Sequence, residues 1–242
     1  YPEYDFVPVF WMATEDHDFK EINHFNFNEK KYEWHTDQTG AVGRMQTIGL
    51  DKVFNDFSNE LTDYSTNATQ LINLFYKAYI EHNTLAAATR HLVNQLFGAY
   101  GVVIIDGDDV QLKKQFKPIF KKELLEEFSS TAVDKQNDLL SKNYKIQVNP
   151  REINLFYLKD GLRERIVKQD EGYFVNETNL SFTEQEILEE LDKYPERFSP
   201  NVLLRPIYQE QILPNIAYVG GGGELAYWFQ LKGVFDTLAL PM

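Results

Sequence analysis

Residues 96–109 read LFGAYGVVIIDGDD. Leu96 and Phe97 close a helical pattern that opens near Thr84, and Gly98 and Gly101 stop it. Val102 to Ile105 then form a short β-branched run with no polar face, as a strand buried on both sides requires. That strand discharges into Asp106, Gly107, Asp108 and Asp109. The same succession stands at the start of the chain, where FVPVFWMA (6–13) reads as a second fully buried strand and runs straight into Glu15, Asp16, His17 and Asp18. Buried strands alternating with helices imply an α/β fold, a parallel sheet with helices on both faces.

Working outward, a helix is expected at about 17–25, and NATQLINLFYKAYIEH (67–82) gives another ahead of the one ending at Phe97. Downstream lies a charged stretch from about 111 to 150. INLFYLKDGLRERIV (153–167) follows, and its Lys159-Asp160-Gly161 reads as a hairpin turn. This block is expected to be an insertion carrying a β-hairpin. Helix FTEQEILEELDKYPERF (182–198) then resumes the main pattern, with Thr183 as N-cap and Glu186 at the capping-box position. VLLRPI, NIAYV, four glycines and the helix GELAYWFQLKGVF complete the chain. The expected division is 1–110 and 182–242 as the two parts of one core, with 111–181 inserted between them.

Composition narrows the function. The 242 residues are 43% hydrophobic, enough to bury a sizeable core. Twenty-four Lys and Arg against 37 Asp and Glu leave a net charge of −13, which repels a phosphate backbone and argues against a nucleic-acid partner. The longest apolar stretch, Phe6 to Ala13, falls far short of the ~20 residues that span a bilayer, so no membrane partner is expected. No secretory signal can be read. With no Cys there is no disulfide, thiolate zinc site or thiol nucleophile, and a cytoplasmic location is the expectation.

In open α/β sheets ligands bind beyond the carboxyl ends of the strands, so the polar strand endings are the candidate site. His17, Glu21 and His24 stand at i, i+4 and i+7 of the expected helix and share a face, apart from Phe19, Ile22 and Phe25. Imidazoles there suit acid/base work. Asp16 and Asp18 serve equally well as N-cap and first-turn residues. A His/Asp/His metal site would need a third ligand from elsewhere, and none is assigned. Asp106 and Asp108 suit ribose hydroxyls or a hydrated Mg²⁺, or form a plain Asp/Gly turn. Gly220, Gly221, Gly222 and Gly223 ahead of a helix would let a phosphate or carboxylate approach the backbone, with Arg205 as a further clamp. A flexible connection is the plain alternative. No GK[ST] follows and GGGGE is not GxGxxG, so this is neither a Walker loop nor a dinucleotide fingerprint.

PVFWMATEDHDFKEINH, LFGAYGVVIIDGDD and FSPNVLLRPIYQEQILPNIAYVGGGGELAYW, in this order along residues 7 to 240, closely resemble the bacillithiol-biosynthesis enzymes that add cysteine to glucosaminyl-malate, the cysteine ligase family. The resemblance implies a Rossmann-like core similar to nucleotidylyltransferases and class I synthetases, interrupted by connecting insertions and joined to a coiled coil through which the full-length protein dimerises. It implies amide formation between the cysteine carboxylate and the sugar amine, with activation by a nucleotide, ATP or ADP, and with Mg²⁺ as a candidate companion. On this reading His17 and His24 act as acid/base groups oriented by Asp16 and Asp18 beside Glu15. Gly220 to Gly223 cradle an anion, Glu224, Tyr227 and Trp228 line the pocket, and Asp106 and Asp108 bind ribose, sugar or Mg²⁺. The family's TGQQ…GP segment ahead of the first strand is not in this sequence and relatives continue past the last helix, so the chain is expected to be the central part of a longer protein. The synthetase HxGH signature is replaced by EDHD. Two other functions fit the same residues: a nucleotide or sugar-phosphate binding module without catalysis, and a nucleotidyl- or glycosyltransferase.

Overall fold

The computed structural model describes residues 3–61, 67–169, 172–213 and 215–242. The chain divides into two compact units, Tyr1–Asp108 with Lys159–Arg163, and Asp109–Leu158 with Glu164–Met242. The first break falls at Asp108. Residues 182–242, however, share their unit with the 111–181 stretch instead of rejoining the first 110 residues, because the strand at 198–200 pairs with the hairpin of that stretch.

The first unit contains β1 (Val9–Met12), α1 (Phe19–Ile22), β2 (His24–Phe27), β3 (Lys30–Glu33), α2 (Leu50–Leu61), α3 (Ala68–Tyr79), α4 (Leu85–Phe97) and β4 (Val103–Asp106). Thr84 caps α4 by accepting from the Ala87 amide, and the turn beyond it closes on Gly101 at φ 80°, a conformation that glycine reaches without a Cβ penalty. β1 and β4 pair in parallel, with Met12 opposite Asp106, so both acidic endings emerge at one edge as expected. The strands are not buried on both faces: Val9 and Phe10 are each 40% exposed and only Met12 is buried in β1. No third strand flanks this pair among the described residues.

The expected helix at 17–25 is a single turn. Asn23 ends it by donating its amide to the Phe19 carbonyl, and His24 already belongs to β2. The apolar-polar alternation of FNF and KKYEW favours strands here, and Asn28 and Glu29 link them at φ 49° and 62°, the left-handed pair a tight hairpin needs. Asp16 is therefore not a helix N-cap, and Asp18, which is, makes no side-chain capping bond. The core of this unit gathers Tyr32, Phe57, Leu61 and Ala68 in one cluster and Trp34, Val42 and Met45 in another.

The second unit contains α5 (Val110–Glu126), α6 (Phe128–Leu140), β5 (Leu155–Lys159), β6 (Leu162–Gln169), β7 (Gly172–Val175), β8 (Ser181–Phe182), α7 (Glu184–Lys193), β9 (Phe198–Pro200), α8 (Arg205–Ile212), α9 (Gly222–Trp228) and α10 (Lys232–Thr237). Asp109 caps α5 on the amides of Gln111 and Leu112, and Thr183 with Glu186 forms the expected capping box on α7. The sheet order is β8-β7-β6-β5-β9, with antiparallel β5–β9, β6–β7 and β7–β8 pairs. The hairpin turns at Gly161, φ 69°, where expected, and it sits in this antiparallel sheet rather than in the parallel pair. Residues 111–140, expected only as a charged stretch, are the helices α5 and α6. VLLR is a turn, with Arg205 opening α8, and NIAYV forms no strand: Ile216 and Val219 lie exposed, and no strand among the described residues pairs with them. Among the described residues no helix is long and apolar enough to cross a membrane.

One close approach supports the strand ends. The short helical turn Val42–Arg44 donates the Val42 amide to the Asp16 carbonyl (2.7 Å) and the Gly43 amide to the Thr14 carbonyl (2.8 Å). A Cβ on Gly43 would stand 2.8 Å from both Thr14 Cγ2 and Thr14 O. Gly43→Ala is therefore expected to destabilise the first unit by roughly 1–3 kcal/mol, the usual cost of overpacking. Chemical denaturation checks this, and an unchanged midpoint would show that the turn can move away freely.

Candidate functional site

The site is assembled where β1 and β4 end. Thr14 donates its hydroxyl to Asp106 Oδ1, which also accepts the Asp108 amide at 3.0 Å, so Asp106 ties the two strand endings together. Arg90 Nη2 lies 3.6 Å from Asp106 Oδ2. Asp108 is gripped in the bidentate manner that suits guanidinium and carboxylate, with Arg44 Nε to Oδ2 at 2.5 Å and Arg44 Nη2 to Oδ1 at 2.7 Å. Burial works against the Arg44 charge, but the hydrogen bond and charge of Asp108 outweigh it and the guanidinium is held above its ordinary range. Both aspartates expected to bind sugar or Mg²⁺ thus engage protein groups. Glu15, beside them, is buried, with Oε2 about 3.1 Å from where a Cβ on Gly107 would stand.

Asp16, His17 and Asp18 follow on the same loop and present one ligand atom each within 4.8 Å of one another. His17 has a half-exposed side chain, and its amide donates to Asp16 Oδ1 at 3.0 Å. Arg163, delivered by the hairpin tip and with a side chain only 2% exposed, places Nη1 against His17 Nδ1 and 3.8 Å from Asp16 Oδ1. A guanidinium has donors only, so Nδ1 accepts and the ring proton sits on Nε2, 4.0 Å from Asp18 Oδ1. Any metal would have to take His17 through Nε2. Sequence reasoning missed Arg163 and Arg44. His24 does not join this group: it stands in β2 opposite Glu33 and lines an apolar cavity.

The glycine loop and its neighbours lie in the second unit. None of Gly220 to Gly223 takes a positive φ, and a Cβ on Gly221, Gly222 or Gly223 would meet nothing within 4 Å. α9 has only seven residues, and its first turn already carries the Glu224 carboxylate, which accepts from the hydroxyls of Tyr218 and Tyr227. Burial first, then Glu224, pushes the Tyr227 phenol up to about 12, while Arg205 opposes the rise. Tyr218 stacks on Trp228 with centroids 4.2 Å apart. The Glu224 carboxylate thus engages Tyr218 and Tyr227 within the protein, and the Arg205 charge acts on the same Tyr227 phenol.

The family model described as bacillithiol biosynthesis BshC, N-terminal Rossmann-like domain, matches residues 1–242. The chain belongs to the BshC family. Its α/β architecture is accordingly the Rossmann-like domain of BshC proteins, with the β1–β4 pair as its parallel element. The chain is similar to proteins named "Putative cysteine ligase BshC" from Flavobacterium johnsoniae (55% identical, 100% of this chain and 46% of that protein) and Flavobacterium psychrophilum (57%, 98% and 44%). It is also similar to one of that name from Staphylococcus saprophyticus (30%, 98% and 46%). The chain spans about half the length of these BshC relatives.

Proposed function

We propose that this BshC-family chain carries acid/base and substrate-orienting residues of a ligase that joins the cysteine carboxylate to the amine of glucosaminyl-malate in bacillithiol biosynthesis. The observation that carries this reading is the convergence of Asp16, His17, Asp18 and the buried Arg163 at the carboxyl edge of β1, in a chain whose relatives bear the ligase name. Amide formation requires the attacking amine to lose a proton. Asp18, beside Nε2, takes that proton, Arg163 fixes the ring through Nδ1, and His17 donates its Nε2 proton to the group that leaves the carbonyl.

A bound nucleotide, ATP or ADP, would supply the activation that a carboxylate needs before it acylates an amine. Asp16 and Asp18 offer the hard oxygens that Mg²⁺ prefers. The glycine loop fits a phosphate less well, because Glu224 already fills the first turn of α9. The deciding experiment is calorimetric titration of this chain and of a full-length protein containing it with ATP, ADP, cysteine and glucosaminyl-malate, alongside a product assay. Product from the full-length protein supports the ligase. Binding without turnover in either would replace it with a non-catalytic binding module.

A further inference from the structure

A cavity of about 290 Å³ lies within the first unit, walled by Phe25, Tyr32, Trp34, Phe57, Phe75 and Tyr79 from the β2–β3 hairpin, α2 and α3. Among the described residues no Asp, Glu, Lys or Arg lines it. An engineered apolar cavity of ~150 Å³ already takes up benzene, so this one has room for a fused two-ring molecule. Two wall residues have spent their polar atoms on the protein: Tyr32 donates to Glu60, and Trp34 Nε1 donates to the Ile48 carbonyl at 3.1 Å. Tyr79 has not. Among the described residues its hydroxyl makes no hydrogen bond, and burial alone pushes its phenol up. The Thr89 hydroxyl, on the same wall from α4, is likewise without a bond among the described residues. His24 turns Nδ1 to Asn23 Oδ1 at 2.9 Å.

We infer that this cavity is a binding site for a small, uncharged, planar aromatic molecule bearing one hydrogen-bond acceptor, which the Tyr79 hydroxyl would engage. Aromatic walls favour a ring over an alkyl chain through edge-to-face contacts. Missing formal charges disfavour phosphate or carboxylate, which separates this site from the one at the strand ends. An apolar pocket with a few open polar groups is the usual form of a small-molecule site, and a partly buried hydroxyl without a protein partner can donate to a ligand that supplies an acceptor.

The test titrates the protein with quinoline, which has a ring acceptor, and with naphthalene, which has none, following amide NMR shifts. Quinoline is expected to give saturable shifts confined to residues around the cavity and to bind roughly two- to tenfold more tightly than naphthalene, the value of one net hydrogen bond. Tyr79→Phe should abolish that preference, and Val53→Phe, which fills the cavity, should abolish binding of both. Absence of saturable shifts, equal affinity for the two compounds, or a folded Val53→Phe variant that binds as before would each overturn the inference. Should Val53→Phe fail to fold, the Tyr79→Phe comparison decides alone.

Discussion

His17→Ala in the full-length protein is expected to lower turnover by ~10²–10⁴-fold, the usual worth of a general acid/base group, with little change in thermal midpoint. The ring is half exposed, so its removal costs little packing. Its geometry is nevertheless fixed, because the buried Arg163 holds Nδ1 and leaves only Nε2 for proton exchange. Arg163→Lys should therefore also reduce turnover, through loss of the fixed ring, and should alter the pH–rate profile, whereas a purely structural Arg163 would leave the profile of the folded fraction unchanged. The measurement is specific activity per folded molecule beside a melting curve. An alanine variant that melts early yet keeps its activity per folded molecule would reassign His17 to structure.

The largest stability effect is expected at Glu123, which is fully buried in α5. Oε1 accepts from Ser129 Oγ (2.7 Å), the Asn154 amide (2.9 Å) and Asn154 Nδ2 (3.3 Å), and Oε2 accepts from the Ser129 amide (3.2 Å). One side chain thus satisfies the start of α6 and the approach to β5. Glu123→Ala strands these donors, at ~1–3 kcal/mol each and not additively, so a total of roughly 3–5 kcal/mol is expected, a large part of the ~5–15 kcal/mol available to a domain. Burial raises the Glu123 pKa, and the hydrogen bonds only partly offset this. The unfolded carboxyl consequently ionises first as pH rises, and the parent protein loses stability from the ordinary glutamate range up to the raised folded value. Glu123→Gln should flatten that slope. Denaturant midpoints at pH 4 to 8 check both points, and a parent protein that gains stability over this interval relative to the Gln variant would contradict the assignment.

Much of the frame was legible because it is local. The strand at 103–106, the hairpin turn at Gly161 and the Thr183–Glu186 capping box each follow from residues within a few positions of one another. Two kinds of feature escaped. Where two periods compete, as at residues 17–34, the spacing of His17 and His24 imitates a helix, while alternation and a left-handed Asn28-Glu29 turn make a hairpin. Where apolar residues lack a neighbouring strand, as in NIAYV, composition suggests an element that backbone pairing does not complete. Of the site, the acidic strand endings were visible, but their cations were not. Arg44 lies 64 residues from Asp108 and Arg163 lies 146 from His17, separations at which neither periodicity nor spacing carries information.

The assignment of residues 159–163 to the first unit constrains the order in which a ribosome can finish the protein. Asp16 and His17 leave the exit tunnel before Arg163, which lies 146 residues beyond His17 and holds its Nδ1. Until Arg163 arrives the nascent loop lacks this guanidinium, and closing a loop of that length costs chain entropy that grows only slowly with length. No single cut can release the first unit intact either. A protein ended after Asp108 keeps the aspartates and the histidine but lacks the guanidinium, so domain dissection would have to graft the Lys159–Arg163 tip back to recover the geometry at His17.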